Sequence, residues 1–420
     1  MISKTLSDIS IQISSGLTPL RTENSYWEGG TIPWLKTEQL GEKYIYDTNE
    51  YITEYALENT SIRLFPINTL SIAMYGEGKT RGNISILKKK MATNQACCNL
   101  VIDAEKADFE YVYYYLKNQY QILRQLSSGV RKNLNSSDIK SFPIRLPEDI
   151  NEQKKIAHVL KTLDEKIEIN QKICTQLEQL ARLYFDYWFI DFNFPNEKNK
   201  PYKFSNGAMV NDHILKREIP EEWNIRTLSE IANITMGQSP DGSSYNESAQ
   251  GTIFYQGSTD FGWIFPKVRQ YTTEPARMAK KGDILLSVRA PVGDMNIANT
   301  DCCIGRGLAA LNSKDGFDGF LFYVMKYFKQ VFDRRNSEGT TFGSITKNDL
   351  YSLKLAYPPK ELLEKYDSIV SKYNEMIFIR SMENQKLEEL RDWLLPMLMN
   401  GQISIRDAEE HIVKNFEQNE

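Results

Sequence analysis

The sequence predicts an α+β protein: two pseudo-symmetric α/β domains, each followed by one long helix, with the two helices paired antiparallel as a coiled coil that separates the domains. Three observations predict this: a repeat of about half the chain, strand-and-turn patterning within each copy, and a heptad-spaced apolar seam after each copy. Residues 4–9 (KTLSDI) return at 226–231 (RTLSEI), 222 positions on. Gly16 and Pro19 return as Gly237 and Pro240, and Gly30-Thr31-Ile32 returns as Gly251-Thr252-Ile253, at an offset of 221. Ser137-Asp138-Ile139 matches Asn348-Asp349-Leu350, and Pro147 matches Pro358, at an offset of 211. The offset changes in small steps and the order never does, as when two copies diverge by loop insertions and deletions. A period near half of 420 residues is too long for a solenoid and describes two homologous domains with two similar working surfaces.

Taken in order, residues 1–149 read as short strands and turns, such as 70–75 (LSIAMY) and 83–87 (NISIL), flanked by glycines. One aromatic-rich helix, 109–116 (FEYVYYYL), interrupts them. Over 150–190 the period changes to alternating threes and fours: Ile156, Leu160, Leu163, Ile167, Cys174, Leu177, Ala181 and Tyr184, with Asn170 as the polar member. Residues 191–357 hold a polar linker with Pro195, Pro201 and Gly207, then the second copy, opened by Pro220-Glu221-Glu222-Trp223. That copy repeats the strands at 283–288 and 294–298 and the aromatic helix at 320–328. A second long helix occupies 358–403, with a seam of Tyr366, Ile369, Tyr373, Met376, Leu387, Leu390 and Leu394, and Arg380 and Glu383 as misfits. Pro147 and Pro358-Pro359 stand just before the two helices, where proline is tolerated. About 39 residues at 1.5 Å each make helices of roughly 60 Å. They are expected to pair within the chain, because the first must return the chain to a second domain. Residues 404–420 carry more acid than base and read as a frayed tail.

Apolar residues make up 41% and charged residues 25%, enough to bury a core in each half. No apolar run approaches a membrane span, and the first residues (MISKTLSDIS) show no signal pattern. The five cysteines, Cys97, Cys98, Cys174, Cys302 and Cys303, include adjacent pairs and no CxxC, which supports neither disulfides nor zinc. A reduced cytoplasm fits best. The net charge of −4 argues against nucleic-acid binding by bulk charge, so any such function needs locally gathered bases. Lys79, Arg81, Lys88, Lys89, Lys90, Arg131 and Lys132 gather in the first half. Lys267, Arg269, Arg277, Lys280, Lys281, Arg289, Arg306, Arg334, Arg335 and Lys347 do so in the second, part of each set being ordinary solvated charge.

Searches for catalytic chemistry come up empty. Gly76-Glu77-Gly78-Lys79-Thr80 suggests a phosphate-binding loop, but Ala73 stands where its first glycine belongs, and a turn and strand follow instead of a helix. A hairpin tip presenting Lys79 and Arg81 fits better, and its counterpart, 289–294 (RAPVGD), keeps an arginine and the closing glycine. There is no Asn/Asp-Pro-Pro-Tyr/Phe of amino-methyltransferases and no GxGxxG after a strand. His158, His213 and His411 have no metal-type partners in sequence and read as structural; no metal or cofactor is expected. Gln95 and Arg306 align at the 211 offset, each after a turn and before an apolar stretch. Gln brackets adenine and Arg guanine in the major groove; the alternative is that both stabilise their own loops. Loops 127–134 and 337–345 form a second matched pair suited to backbone contacts.

With these residues assembled, the chain resembles the specificity subunit of type I restriction-modification systems. The matching stretches are AMYGEGKTRGNISIL and ATNQACCNLVI in the first half, and KKGDILLSVRAPVGDMNIA and CCIGRGLAAL in the second. The helix segments LPEDINEQKKIAHVLKTLDEKIEINQKI and ENQKLEELRDWLLPMLMNGQI match as well, and the likeness runs to about Ile403. The resemblance implies that each domain is a target recognition domain reading one half of a split sequence in double-stranded DNA. The helices would act as a ruler, with Ile156, Leu160, Leu163, Ile167, Leu177, Tyr366, Ile369, Tyr373, Leu387, Leu390 and Leu394 as spacer and subunit-interaction residues. It implies no active site in this chain, recruitment of two modification subunits that methylate adenine with S-adenosylmethionine, and of restriction subunits that use ATP; no membrane is involved. The DNA-binding candidates are Tyr75, Lys79, Arg81, Gln95, Arg131, Lys132, Arg289, Arg306, Thr341 and Lys347. Cys97-Cys98 and Cys302-Cys303 look alike but do not align at the 211 offset. The competing readings are a nucleotide-binding enzyme built on residues 76–80 and a coiled-coil adapter without sequence-specific DNA binding.

Overall fold

The computed structural model describes residues 1–76, 80–126, 133–337 and 344–417. The chain divides into two compact units, Met1–Ile167 with Lys386–Glu420, and Glu168–Gln385. The division cuts both long helices, Ile150–Phe185 and Lys360–Met399, so each unit is one mixed domain plus half of each helix. At 36 and 40 residues, the helices are about 54 and 60 Å long.

In the first unit, a five-stranded sheet runs Ser10–Ser15, Cys97–Ile102, Leu70–Ala73, Ile84–Leu87, Tyr44–Ile45. Its central strands, LSIA and ISIL, are buried at every position, which is why they read as unbroken apolar runs. Three further strands, Glu50–Ile52, Ile32–Leu35 and Ala92–Thr93, form a second sheet. Ile2–Thr5 pairs antiparallel with Pro143–Leu146 and ties the start of the domain to its end. Helix Phe109–Asn118, capped by Asp108 onto Tyr111 N, packs Tyr111, Val112 and Leu116 into the core. That same core takes in Ile156, Leu160, Leu163, Ile167, Leu387, Leu390 and Leu394, so the helix seam and the domain interior are continuous. Polar contacts add to it: Lys43 donates to Tyr114 Oη (2.6 Å), Tyr114 donates to Asp164 (2.5 Å), and Arg391 pairs with Asp164 at 3.1 Å.

The second unit repeats this plan. Strands Ala232–Met236, Leu308–Ser313, Ile284–Ser287 and Met295–Ile297 form the antiparallel sheet, and Thr252–Tyr255 and Cys302–Ile304 pair parallel in another. Asn224–Thr227 and Lys354–Tyr357 close the domain as Ile2–Thr5 and Pro143–Leu146 close the first. The repeated hexapeptides have a physical reason, for each is a cap. Thr5 N and Oγ1 both donate to Asp8, and Thr227 N and Oγ1 both donate to Glu230. The backbone N–H and then the hydroxyl of Thr5 hold Asp8 below the ordinary carboxylate range, and Thr227 does the same for Glu230. Their contribution is present above the ordinary carboxylate pKa and is lost as pH falls through the lowered values.

The long helices pair antiparallel within the chain, as expected. Asn170 donates to Glu383 and Asn384 (2.9 Å each), Cys174 Sγ lies 3.8 Å from Ile377 O, and Tyr366 donates to Ala181 O at 3.3 Å. Partner numbers fall on one helix as they rise on the other. The misfit Glu383 is thus the acceptor for the seam asparagine. The predicted seam needs correction in two places: Val370 and Ile377 are buried, whereas Ile369 is half-buried and Met376 exposed. Leu177 is half-buried rather than core.

The tail departs from expectation, whereas the linker is the polar segment expected. The acidic tail holds helix Ile405–Glu417, with Ser404 capping Asp407 and Ala408 fully buried in the first core beside Ile405 and Ile412. The apolar spacing of those three residues outweighs the acidic composition. The linker is built from side-chain turns: Asn196 accepts from Lys198 N and Lys200 N, and Asp212 from Ile214 N and Leu215 N, beside a hairpin of Met209–Asp212 and Arg217–Pro220.

Asn170 is fully buried and makes two donations inside one unit. Asn170→Ala is expected to cost about 1–3 kcal/mol in urea unfolding, while Thr175→Ala on the exposed face stays within about 0.5 kcal/mol. Equal midpoints for the two would show that the polar seam contributes nothing.

Candidate nucleic-acid interface

In each unit the central strand of the main sheet ends in a residue whose backbone serves two loops. Met74 N donates to Ala96 O (2.8 Å), and Met74 O accepts from Leu134 N (3.2 Å). In the second unit Val288 N donates to Gly307 O (3.0 Å), and Val288 O accepts from Ile345 N (2.9 Å). The described ends of the hairpin tip after the strand, the turn carrying Gln95 or Arg306, and residue Leu134 or Ile345 therefore converge at one end of the sheet. The tip is closed alike in both: Ala73 N to Asn83 O and Gly82 N to Ala73 O, against Ser287 N to Asp294 O and Gly293 N to Ser287 O.

A fourth loop joins them. Gly16 N and Leu17 N donate to Cys97 O and Thr93 O, and Gly237 N and Gln238 N to Leu308 O and Ile304 O. A Cβ on Gly16 would lie 2.0 Å from Thr93 O, and one on Gly237 would lie 2.2 Å from Gly305 O, so only glycine admits this approach. The loop brings a hydroxyl to each turn. Thr18 Oγ1 donates to Gln95 Oε1, and Ser239 Oγ accepts from Arg306 N at 3.3 Å.

Among the predicted contact residues, Tyr75, Arg81 and Gln95 share the converging loops of the first unit, and Arg289, Arg306 and Lys347 those of the second. Gln95, Arg289, Arg306 and Lys347 are exposed; Tyr75 is 39% exposed and Arg81 half-buried. Asn94 Oδ1 accepts from Ala96 N, fixing the turn under Gln95. Lys347 opens a short helix capped by Thr346, with its Nζ 5.0 Å from the Tyr351 ring centre. Lys79, Arg131, Lys132 and Thr341 lie outside the described residues, as does the middle of the GEGKT stretch. Thr80 is followed by a turn and strand Ile84–Leu87, so no helix N-terminus faces a phosphate there.

Other basic residues of the predicted clusters are held by partners within their own domains. Strand Ile84–Leu87 carries Lys88 and Lys89 away from the tip, where Lys88 sits 4.6 Å over Tyr44 and Lys89 pairs with Asp47 at 3.0 Å. In the second unit Arg269 grips the buried Asp260, Lys280 pairs with Asp301 at 2.7 Å, and Lys281 lies 5.4 Å from the Phe378 ring. Conversely, sequence reasoning missed Thr18 and Ser239, although their flanking Gly and Pro repeat was visible. It also missed Arg21, which lies over Trp27 (3.8 Å) beside Trp34, itself donating to Leu17 O at 3.0 Å.

The cysteine pairs occupy different strands, as their offset predicts. Cys97-Cys98 lie in the long strand Cys97–Ile102, and Cys302-Cys303 in the short strand of the second sheet. Burial pushes the thiols of Cys97, Cys98 and Cys302 up to about 12, so none is poised as a nucleophile. Among the described residues, no His, Cys, Asp and Glu cluster has the makings of a metal site.

The chain thus carries two copies of one α/β plan, each packed against its own portions of the two long helices. The family model for the type I restriction modification DNA specificity domain matches residues 3–179 and 220–390, and the chain belongs to that family. It is similar to the putative type I restriction enzyme MjaX specificity subunit of Methanocaldococcus jannaschii, 29% identical over 96% of this chain and 93% of that protein. The MjaIX specificity subunit of the same organism is 28% identical over 96% of this chain and 94% of that protein. The crystal structure of the type I restriction-modification S subunit from M. genitalium shares the fold: TM-score 0.60, 20% identity, 94% of this chain and 95% of that one. The chain is thus a type I specificity subunit with two recognition domains.

The glycine approach generates a prediction. Gly237→Ala is expected to cost about 1–3 kcal/mol in unfolding, because the added methyl meets backbone. Gly242→Ala, whose methyl would meet nothing within 4 Å, is expected to cost less than about 0.5 kcal/mol. Equal stability of the two variants would refute the close approach.

Proposed function

We propose that each unit reads one half of a bipartite sequence in double-stranded DNA through its converging loops, and that the helix pair sets the gap. The observation that carries this is the equivalence of the loop frames at Met74 and Val288, which present different side chains from the same backbone position. Identical frames with Gln95 in one and Arg306 in the other suit two half-sites of different sequence. Half-sites about one turn apart, roughly 34 Å, offer major grooves on the same side of the duplex. Helices of about 54 and 60 Å are long enough to span such a gap.

The chain supplies recognition without an active site, and its partners supply the chemistry: two modification subunits transferring a methyl group to adenine, and restriction subunits consuming ATP, in the cytoplasm. Of the spacer-helix residues, Ile156, Leu160, Leu163, Tyr366, Leu387 and Leu394 are buried and serve the internal pairing. Exposed apolar residues on the same helices, Ile169, Leu180, Leu183 and Ile379, are better suited to a modification subunit. With a net charge of −4, the chain alone has little electrostatic hold on DNA, and basic surface on the partners completes the clamp.

The test is methylome sequencing of a host carrying the complete system, with residues 1–150 exchanged for those of another specificity subunit. One half of the methylated site is expected to change, with the other half and the gap retained; a change in both halves refutes the division of labour. Arg306→Ala is expected to relax one position of the second half-site, by about 1–3 kcal/mol of discrimination. Lys347→Ala is expected to lower affinity evenly across sequences and reduce the salt slope by about 1. Binding titrations of the assembled complex at several salt concentrations separate the two behaviours.

A further inference from the structure

We infer that Thr18 is a positioning residue for sequence reading: its hydroxyl tethers the Gln95 amide in place, and so sharpens the base preference at one position of the first half-site. The inference rests on the reading of Gln95 as a base contact. The turn bearing Gln95 is held by backbone on both sides, Asn94 Oδ1 accepting from Ala96 N and Ala96 O accepting from Met74 N. The freedom left to Gln95 is therefore that of its side chain, whose terminal torsion is broad and roughly two-fold. An amide left to swing loses the alignment of both its hydrogen bonds to a base.

Thr18 removes that freedom. Its Oγ1 donates to Gln95 Oε1, and the loop carrying it is anchored by Leu17 N on Thr93 O and by the glycine approach at Gly16. Thr93 is itself held from below, since the buried Asn99 donates to Thr93 Oγ1 at 2.8 Å. The carbonyl oxygen keeps a second lone pair, so the tethered amide still accepts from adenine N6–H while Nε2 donates to N7. The same loop in the second unit acts differently. Ser239 Oγ accepts from Arg306 N, which steadies the turn and leaves the guanidinium unheld by that hydroxyl. The two copies thus use one hydroxyl position for two purposes, a side-chain tether in the first and a backbone brace in the second.

The experiment uses the full chain in its complex with the modification subunits, and reads the methylated sequence by methylome sequencing. Gln95→Ala first identifies the position that Gln95 reads. Thr18→Val, which keeps the shape and removes the hydroxyl, is expected to relax that same position by roughly tenfold and leave the second half-site and the gap unchanged. Thr18→Ser is expected to restore the preference. The double variant is expected to be no worse than Gln95→Ala alone, as required of two residues acting as one unit. If Thr18→Val methylates nothing, selection of bound duplexes from a pool randomised in both half-sites replaces the methylome. There, a retained second half with a flattened Gln95 position supports the inference, and loss of both halves overturns it. If Gln95→Ala relaxes a position and Thr18→Val does not, the positioning role fails while the base contact stands. If Gln95→Ala alters no position, the base contact itself fails and the inference with it.

Discussion

The loop-bearing end of each unit depends on the backbone of one residue just past a buried strand. Met74 in the first copy, and Val288 in the second, offer one N–H and one C=O beyond the last ladder bond, and neither faces bulk water. A buried backbone group must find a partner, and here each finds one on a different loop. Two loops far apart in sequence are thereby fixed to the same strand end without any side-chain specificity. Side chains on those loops are free to vary, because the frame under them is made of main chain. A fold whose task is to read different sequences gains from such separation.

The second constraint is that helix and domain share a core. Ile156, Leu160 and Leu163 pack with Leu70, Ile72 and Tyr111 rather than forming a free rod beside a free domain. The polar cluster at Lys43, Tyr114, Asp164 and Arg391 adds direction to that apolar contact. Burial depresses the Lys43 pKa, and Asp164 opposes it, so the charge is kept at a cost in solvation. Such a group contributes little net stability, but it disfavours any other angle of domain on helix, since a rotated domain would leave the buried Lys43 without Asp164. A reader must be aimed, and a seam of leucines alone permits slippage.

Much of this was legible in the sequence. The repeat gave two domains, because the KTLSDI and RTLSEI stretches make the same cap and the GxxP stretches the same close approach. The heptads gave the helices and Asn170 the polar position, since burial of one stripe leaves a periodic mark. What was not legible depended on contacts across long separations. Thr18 lies 77 residues from Gln95, and nothing local to either marks the pair. The Lys88 and Lys89 cluster misled for the converse reason. Neighbours in sequence, they are carried from the tip by a four-residue strand and spent on Tyr44 and Asp47. The tail helix was hidden because composition was read in place of the Ile405, Ala408 and Ile412 spacing.

The two copies differ most where the frame leaves room. The tip spans Ala73 to Asn83 in the first and Ser287 to Asp294 in the second, closed by the same pair of backbone bonds over different lengths. At the adjoining turn, an amide tethered by a threonine stands opposite in role to a guanidinium whose turn is steadied by a serine. Duplication followed by change at the tips and turns therefore yields two readers of unequal chemistry on equal scaffolds. On the proposed reading of Gln95 and Arg306, that inequality implies a target with two unlike halves, whereas identical loop chemistry in both copies would imply a palindrome.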